Sequence, residues 1–138
     1  FEDRIHHGNH VIESFETPGH AAHHLCFRLG DILFAGEVAG TTYPFDNGDL
    51  YIRPATPPVF DYEIYSGSLK KAAALDASLI CFAHYGCRTD KETFFSPALD
   101  QLEKWLAVVK EHIDKGENAS DESIFADILK RDPYIPLP

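Results

Sequence analysis

Residues 16–40, ETPGHAAHHLCFRLGDILFAGEVAG, leave this chain few ways to fold. Thr17-Pro18-Gly19-His20 is a turn that delivers a histidine: the proline stiffens the approach and the glycine permits a sharp reversal. Residues 23–29 read as a strand and Gly30-Asp31 as a hairpin turn. Ile32-Leu33-Phe34-Ala35 then forms a short continuous apolar run, of the kind expected for a strand covered on both faces. It ends in Gly36-Glu37. A second such end lies downstream, where the apolar run 77–83 leads into His84-Tyr85-Gly86. A His, a carboxylate and a second His thus each sit just past a strand. Strand ends that meet on one rim of a sheet are a means of gathering metal ligands from distant positions.

The remaining elements emerge from local pattern. The chain opens on a hairpin turning at Gly8-Asn9, with His6, His7 and His10 decorating the turn. The second strand, 10–16, alternates apolar and polar residues imperfectly, as a half-buried strand does. Residues 40–58 read as a long loop rich in Thr, Pro, Gly and Asp, a type that is usually functional or disordered. A helix is expected over 61–75 with Asp61 as its N-cap. The longest helix is expected to start near Ser96-Pro97, with Leu99, Leu102, Leu106, Val109 and Ile113 as its apolar stripe and Gly116 as its stop. A last helix runs from about Ser120, with Ile124, Phe125, Ile128 and Leu129 on one side. The order is β-β-β-β, loop, α-β-α-α. Hairpins followed by helices that cover one sheet face give a layered α/β (α+β) unit with an antiparallel or mixed sheet.

Size and charge narrow the function. The chain has 138 residues, enough for one domain with a core, and a formal net charge of −10. That charge argues against a phosphate-backbone binder and against adsorption to anionic membranes. No apolar run approaches the roughly 20 residues that span a bilayer. The chain begins at Phe1 and contains no Met, so residues 1–138 are expected to be a single partial domain. Of the three cysteines, Cys26 and Cys81 are expected in the core, and Cys87 is a surface thiol or a minor candidate ligand. Their number and setting suit free thiols in a reducing cytoplasm. The surroundings of Ser66 and Ser68 lack a nucleophile elbow.

The segment Thr17-Pro18-Gly19-His20, the strand end Phe34-Ala35-Gly36-Glu37 and the strand-His84-x-Gly86 context together resemble the second half of the metallo-β-lactamase superfamily, glyoxalase II-like metallo-hydrolases included. The resemblance covers nearly the whole chain. It implies the C-terminal half of a four-layer αββα sandwich, with a binuclear metal site at the edge between the halves. It also implies that His20, Glu37 and His84 are metal ligands, with two zinc sites in the intact protein and iron or manganese as alternatives. Glu37 stands where superfamily members usually carry a bridging Asp. Tyr43, Arg53 and Tyr85 are the candidates for lining the substrate pocket, and the resemblance gives His24 a place behind the ligands or at the substrate. The implied function is hydrolysis of a small ester, thioester or lactone through a metal-bound hydroxide. The superfamily's His-x-His-x-Asp-His signature does not occur here, and His6-His7-Gly8-Asn9-His10 does not match it. The isolated chain is therefore expected to bind metal weakly and to be inactive alone. Half a sandwich would expose apolar strand surface, which implies a homodimer or association with the N-terminal half. The other readings are a non-catalytic scaffold of the same fold that binds a partner, and a di-iron redox or oxygen-reactive member.

Overall fold

The protein, described by a computed structural model, has residues 3–45, 50–84, 86–116 and 120–135 placed. Strands β1 (Asp3–His7), β2 (His10–Glu16), β3 (Leu25–Leu29) and β4 (Ile32–Gly36) form a meander of antiparallel pairs. A small hairpin of β5 (Thr41–Pro44) and β6 (Leu50–Arg53) comes next. Helix α1 (Tyr62–Ala74) leads to β7 (Leu79–Phe82) and β8 (Cys87–Arg88), and then to α2 (Glu92–Asp114) and α3 (Asp121–Arg131). The main sheet is six-stranded in the order β1-β2-β3-β4-β7-β8, and β7 lies parallel to β4.

That one parallel pairing organises the molecule. Antiparallel pairing of β2 with β3 and of β3 with β4 makes β2 run the same way as β4. The C-terminal ends of β2, β4 and β7 therefore emerge on a single rim. A bulge between Phe34 and Gly36 interrupts the β4–β7 register just before that rim. Bulges of this kind bend a strand and re-aim the side chains at its end.

The two faces of the sheet differ. Phe15, Cys26, Leu33, Ala35 and Ile80 alternate onto one face and are buried with Leu69 and Ala72 of α1, Phe94, Phe95 and Ala98 of α2, and Ile52 of the small hairpin. The other parity gives Ile5, Leu25, Phe27 and Phe34, which are 54%, 38%, 36% and 43% exposed. Ile12, Leu29, Ile32 and Leu79 extend the same face in register. The run 32–35 was expected to be covered on both sides. Only its Leu33 and Ala35 side is, because the described helices all lie on one face.

Other expectations shift as well. The 40–58 stretch carries the β5–β6 hairpin: buried Thr42 and Ile52 pair across it, so polar composition masked a strand pair. Helix α2 starts a turn before Ser96, where the Asp90 carboxylate accepts from the Glu92 and Thr93 N–H groups and Pro97 lies inside the helix. The buried side is consequently Phe94, Ala98, Gln101, Leu102, Val108 and His112, while Ile113 is 69% exposed. The cap at Asp61 stands as expected, and α3 starts next to Ser120, which caps it.

Polar α2 residues reach the core because they are paired there. Gln101 donates to the Ile52 carbonyl at 2.6 Å and to Asp132 at 2.8 Å. Asp132, itself buried, also accepts from Trp105 Nε1 at 2.5 Å and from the Tyr134 N–H at 2.8 Å. This cluster fastens the small hairpin and the chain after α3 to α2. Removing the common acceptor strands three donors at once. Asp132→Ala should destabilise the fold by roughly 2–4 kcal/mol in urea unfolding; a loss below about 1 kcal/mol would show that the cluster is not structural.

Candidate metal centre

The turn after β2 is held against α1. Ser68 Oγ donates to the Pro18 carbonyl at 2.6 Å, and Lys71 Nζ donates to the Glu16 carbonyl at 3.2 Å. Gly19 lies at φ +143°, and a Cβ there would stand 2.9 Å from Tyr65 Cα. Only glycine lets the turn pack this closely, and the packing sends His20 over the rim.

Glu37 leaves the bulged end of β4, and His84 comes just after β7. The three side chains meet on one carboxylate. His20 Nε2 lies 2.7 Å from Glu37 Oε2, and His84 Nε2 lies 2.8 Å from Glu37 Oε1. All three remain in touch with solvent, with side-chain exposures of 34% for His20, 22% for Glu37 and 47% for His84. The far nitrogen of His20 is fixed as well: Nδ1 donates to the Ala55 carbonyl at 3.1 Å. A carbonyl only accepts, so Nδ1 carries a hydrogen and Nε2 is the nitrogen turned to the rim. A backbone acceptor behind a histidine is the usual way of orienting it as a ligand.

His24, expected in the substrate pocket, is committed to the protein at both ring nitrogens. The Glu37 N–H donates to Nε2 at 3.1 Å, so Nδ1 carries the ring hydrogen and donates to Thr17, 2.8 Å from Oγ1 and 3.1 Å from O. The direction propagates: Thr17 Oγ1 lies 3.3 Å from Cys26 Sγ, and that thiol donates to the Ala35 carbonyl at 3.3 Å. His24 thereby clamps the backbone of Glu37 to the turn that carries His20. Gly36, at φ +57°, is part of the same clamp, since a Cβ there would stand 2.6 Å from His24 Nε2. Tyr65 supports the rim from below; its hydroxyl accepts from the Ala55 N–H at 3.3 Å. Burial, reinforced by the nearby Glu37 charge, pushes the Tyr65 hydroxyl up to about 12, so it stays protonated.

Tyr43 and Arg53 lie on the β5–β6 hairpin, which begins shortly after Glu37 and leads through Pro54 to Ala55. Tyr43 is 46% exposed and meets Phe45 edge-on at 5.8 Å. Tyr85 lies outside the described residues. Sequence reading had Thr17 only as part of the turn, had His24 supporting the ligands or meeting substrate, and missed Tyr65. The signal for Tyr65 is its helical spacing with Ser68, Leu69 and Ala72 on the buried side of α1. A groove of about 730 Å³ between α1 and α2, lined by Leu69, Ala73, Phe95 and Pro97 among others, contains no His or Cys and lies away from this chemistry.

The donor set suits a metal in kind. Two imidazole nitrogens and two carboxylate oxygens are ligands for zinc, iron or manganese alike. It falls short in number. His20 and His84 touch different oxygens, and among the described residues no group of three or more His, Cys, Asp or Glu is arranged to hold one ion. A closed or catalytic site takes at least three protein ligands per metal. What the geometry shows is one carboxylate carrying one imidazole on each of its oxygens.

The clamp also makes stability depend on pH. Burial, then the neighbouring His20, hold His24 below the ordinary histidine value of 6.5. The unfolded chain then binds the proton more readily than the folded one. This contribution is therefore complete above about pH 6.5 and falls as pH drops toward the lowered folded value. His24→Gln, whose side-chain oxygen can still accept from the Glu37 N–H, should flatten the acid side of the unfolding free-energy profile relative to the parent. Superimposable profiles below pH 6.5 would show that His24 is not held neutral.

No family model matches the sequence. Among curated proteins, a metallo-β-lactamase fold-containing protein of Sulfurisphaera tokodaii is 39% identical over 84 residues, which is 61% of this chain and 30% of that protein. A hydroxyacylglutathione hydrolase of Rhizobium etli is 32% identical over 79 residues, 56% of this chain and 27% of the relative. Among solved structures, an archaeal metallo-β-lactamase superfamily protein from Sulfolobus tokodaii superimposes with a TM-score of 0.59 at 30% identity, covering 94% of this chain and 45% of the other. A metallo-β-lactamase family protein from Thermus thermophilus shares the fold, with a TM-score of 0.56 at 20% identity over 77% of this chain and 35% of the other. The aligned part of this chain thus spans less than a third of these two curated relatives and under half of these two structures. Sequence likeness and the shared arrangement of a mixed sheet under helices agree: the chain is similar to metallo-β-lactamase superfamily proteins and has part of their fold.

Proposed function

We propose that this chain contributes His20, Glu37 and His84 to a two-metal hydrolytic centre, with zinc as the leading metal and a small ester, thioester or lactone as substrate. The observation that carries this reading is the double contact on Glu37, with one imidazole on each carboxylate oxygen. The hydrogen that His20 Nε2 carries when the ring is protonated lies between nitrogen and carboxylate. Loss of that hydrogen frees a lone pair aimed at the same point, which a metal ion can accept. A bound divalent metal supplies Lewis-acid polarisation of the carbonyl and lowers the pKa of water toward neutrality.

The chain's own residues do the positioning. Ala55 and Tyr65 hold the His20 ring, His24 holds the Glu37 backbone, and the hairpin behind β7 carries His84. Tyr43 and Arg53 are proposed to contact substrate from the neighbouring β5–β6 hairpin, the Arg by gripping a carboxylate. The relative named hydroxyacylglutathione hydrolase favours the thioester among the three substrate classes. Two donors per ion is too few, so the remaining ligands are proposed to come from a second half of the same sandwich. Among the described residues, no helix is long and apolar enough to cross a membrane.

Calorimetric titration with Zn²⁺ tests the ligand assignment without any assay of activity. His20→Ala, His84→Ala and Glu37→Gln should each weaken zinc binding by about tenfold or more, and binding should weaken as pH falls because protons compete for the same nitrogens. Unchanged affinity in all three variants would remove the metal reading. With the longer protein, the same substitutions should abolish hydrolysis of a thioester probe.

The exposed sheet face bears on the partner. The solved Sulfolobus relative continues well beyond the part this chain matches, so a second β-layer is the occupant proposed for Ile5, Leu25, Phe27 and Phe34. Without it, the chain should self-associate in light scattering or bind an apolar dye, and Phe34→Asp should diminish either signal. A monodisperse monomer that binds no dye would contradict the proposal.

A further inference from the structure

Cys81 on β7 and Cys87 on β8 are direct cross-strand partners. The Phe82 N–H donates to the Gly86 carbonyl at 3.1 Å, so 82 and 86 form a hydrogen-bonded pair. Pair types alternate along an antiparallel ladder, which makes Cys81–Cys87 a non-hydrogen-bonded pair. At such positions the Cα atoms stand about 4.5 Å apart and the side chains are at their closest. A disulfide needs a Cα separation of about 4.4–6.8 Å. Both side chains have the parity of the open sheet face, in register with Phe34. Cys81 is half-buried and Cys87 exposed. Burial raises the Cys81 thiol, and the neighbouring Cys87 raises it further. Cys26 is separate from them, buried in the core and hydrogen-bonded to Thr17 and Ala35.

We propose that Cys81 and Cys87 are a reversible dithiol–disulfide site, oxidised by exchange with a low-molecular-weight disulfide. The exposed Cys87 loses its proton to solvent, and its sulfur attacks one sulfur of the small disulfide. A new S–S bond forms and one small thiolate leaves. Cys81, deprotonated in turn, attacks Cys87 Sγ and expels the second small thiolate. The protein loses two protons and two electrons, and the small disulfide becomes two thiols. The closed ring contains His84, so oxidation ties off the base of the hairpin that carries one of the three rim side chains. The geometry of the pair is independent of whether His84 binds a metal.

The test uses the whole chain, reduced and then incubated with oxidised glutathione, quenched in acid and alkylated under denaturing conditions. Mass spectrometry should show alkylation falling from three sites, the full cysteine count, to Cys26 alone. The 81–87 peptide should be internally linked, no disulfide should join two chains, and excess thiol should restore all three sites. Cys81→Ser should instead retain a stable glutathione adduct on Cys87, because the resolving thiol is gone. Three alkylated sites after oxidation, a persistent glutathione adduct on the unsubstituted chain, or disulfide-linked dimers would each overturn the proposal.

Discussion

The parallel alignment of β7 with β4 is the constraint on which the rest depends. With it, three strands separated in sequence by a meander and a helical crossover finish on the same side of the sheet. His20, Glu37 and His84 are then neighbours without any of their own segments being long. Were β7 antiparallel to β4, His84 would emerge at the opposite edge, roughly one strand length away. Four residues at about 3.3 Å each put that displacement near 13 Å, well beyond the reach of an imidazole. Topology sets the coarse position, and the bulge before Gly36 supplies the last adjustment.

Fine positioning is the work of groups that never face the rim. His24 has no free nitrogen for a ligand: one accepts from the Glu37 backbone and the other donates to Thr17. The network continues through Cys26 to Ala35, so the backbone on both sides of Gly36 is tied to the turn after β2. This explains how a flexible Glu can serve where the resemblance leads one to expect the shorter Asp. The backbone is clamped at Glu37 itself, and its two carboxylate oxygens are each held by a different ring. The freedom of the extra methylene is limited from both ends.

Legibility in the sequence tracks the range of the interactions. Local signals held: Asp61 caps α1, α3 starts beside Ser120, and the meander from Asp3 to Gly36 is present in order. The meeting of positions 20, 37 and 84 was legible because strand-end residues must fall on one of two rims. Features set by tertiary partners were not. Gln101 and His112, which are not part of the apolar stripe read from the sequence, occupy the buried side of α2, where Asp132 and Asp127 lie within hydrogen-bond reach. Ile113 looked like core and is exposed, because the side of α2 that packs inward is the one carrying Phe94, Ala98, Gln101, Val108 and His112. The β5–β6 pair hid in a polar stretch because its stability comes from Ile52 under α2 rather than from its own composition. His24 read as a pocket residue because no sequence pattern reveals a ring nitrogen taken by a backbone N–H thirteen residues on.

The rim and the open sheet face are short of partners in the same way, and one arrangement answers both. The rim presents two donors to each expected ion, where at least three protein ligands are usual. The sheet presents four large apolar residues to water on the side that carries no described helix. A second β-layer laid on that face would bury Phe27 and Phe34, and its own strand ends would arrive beside Glu37. The two needs have independent physical origins, one in coordination chemistry and one in hydration. A partner that satisfied only the first would leave the sheet wet, and one that satisfied only the second would leave the carboxylate holding two imidazoles and no ion.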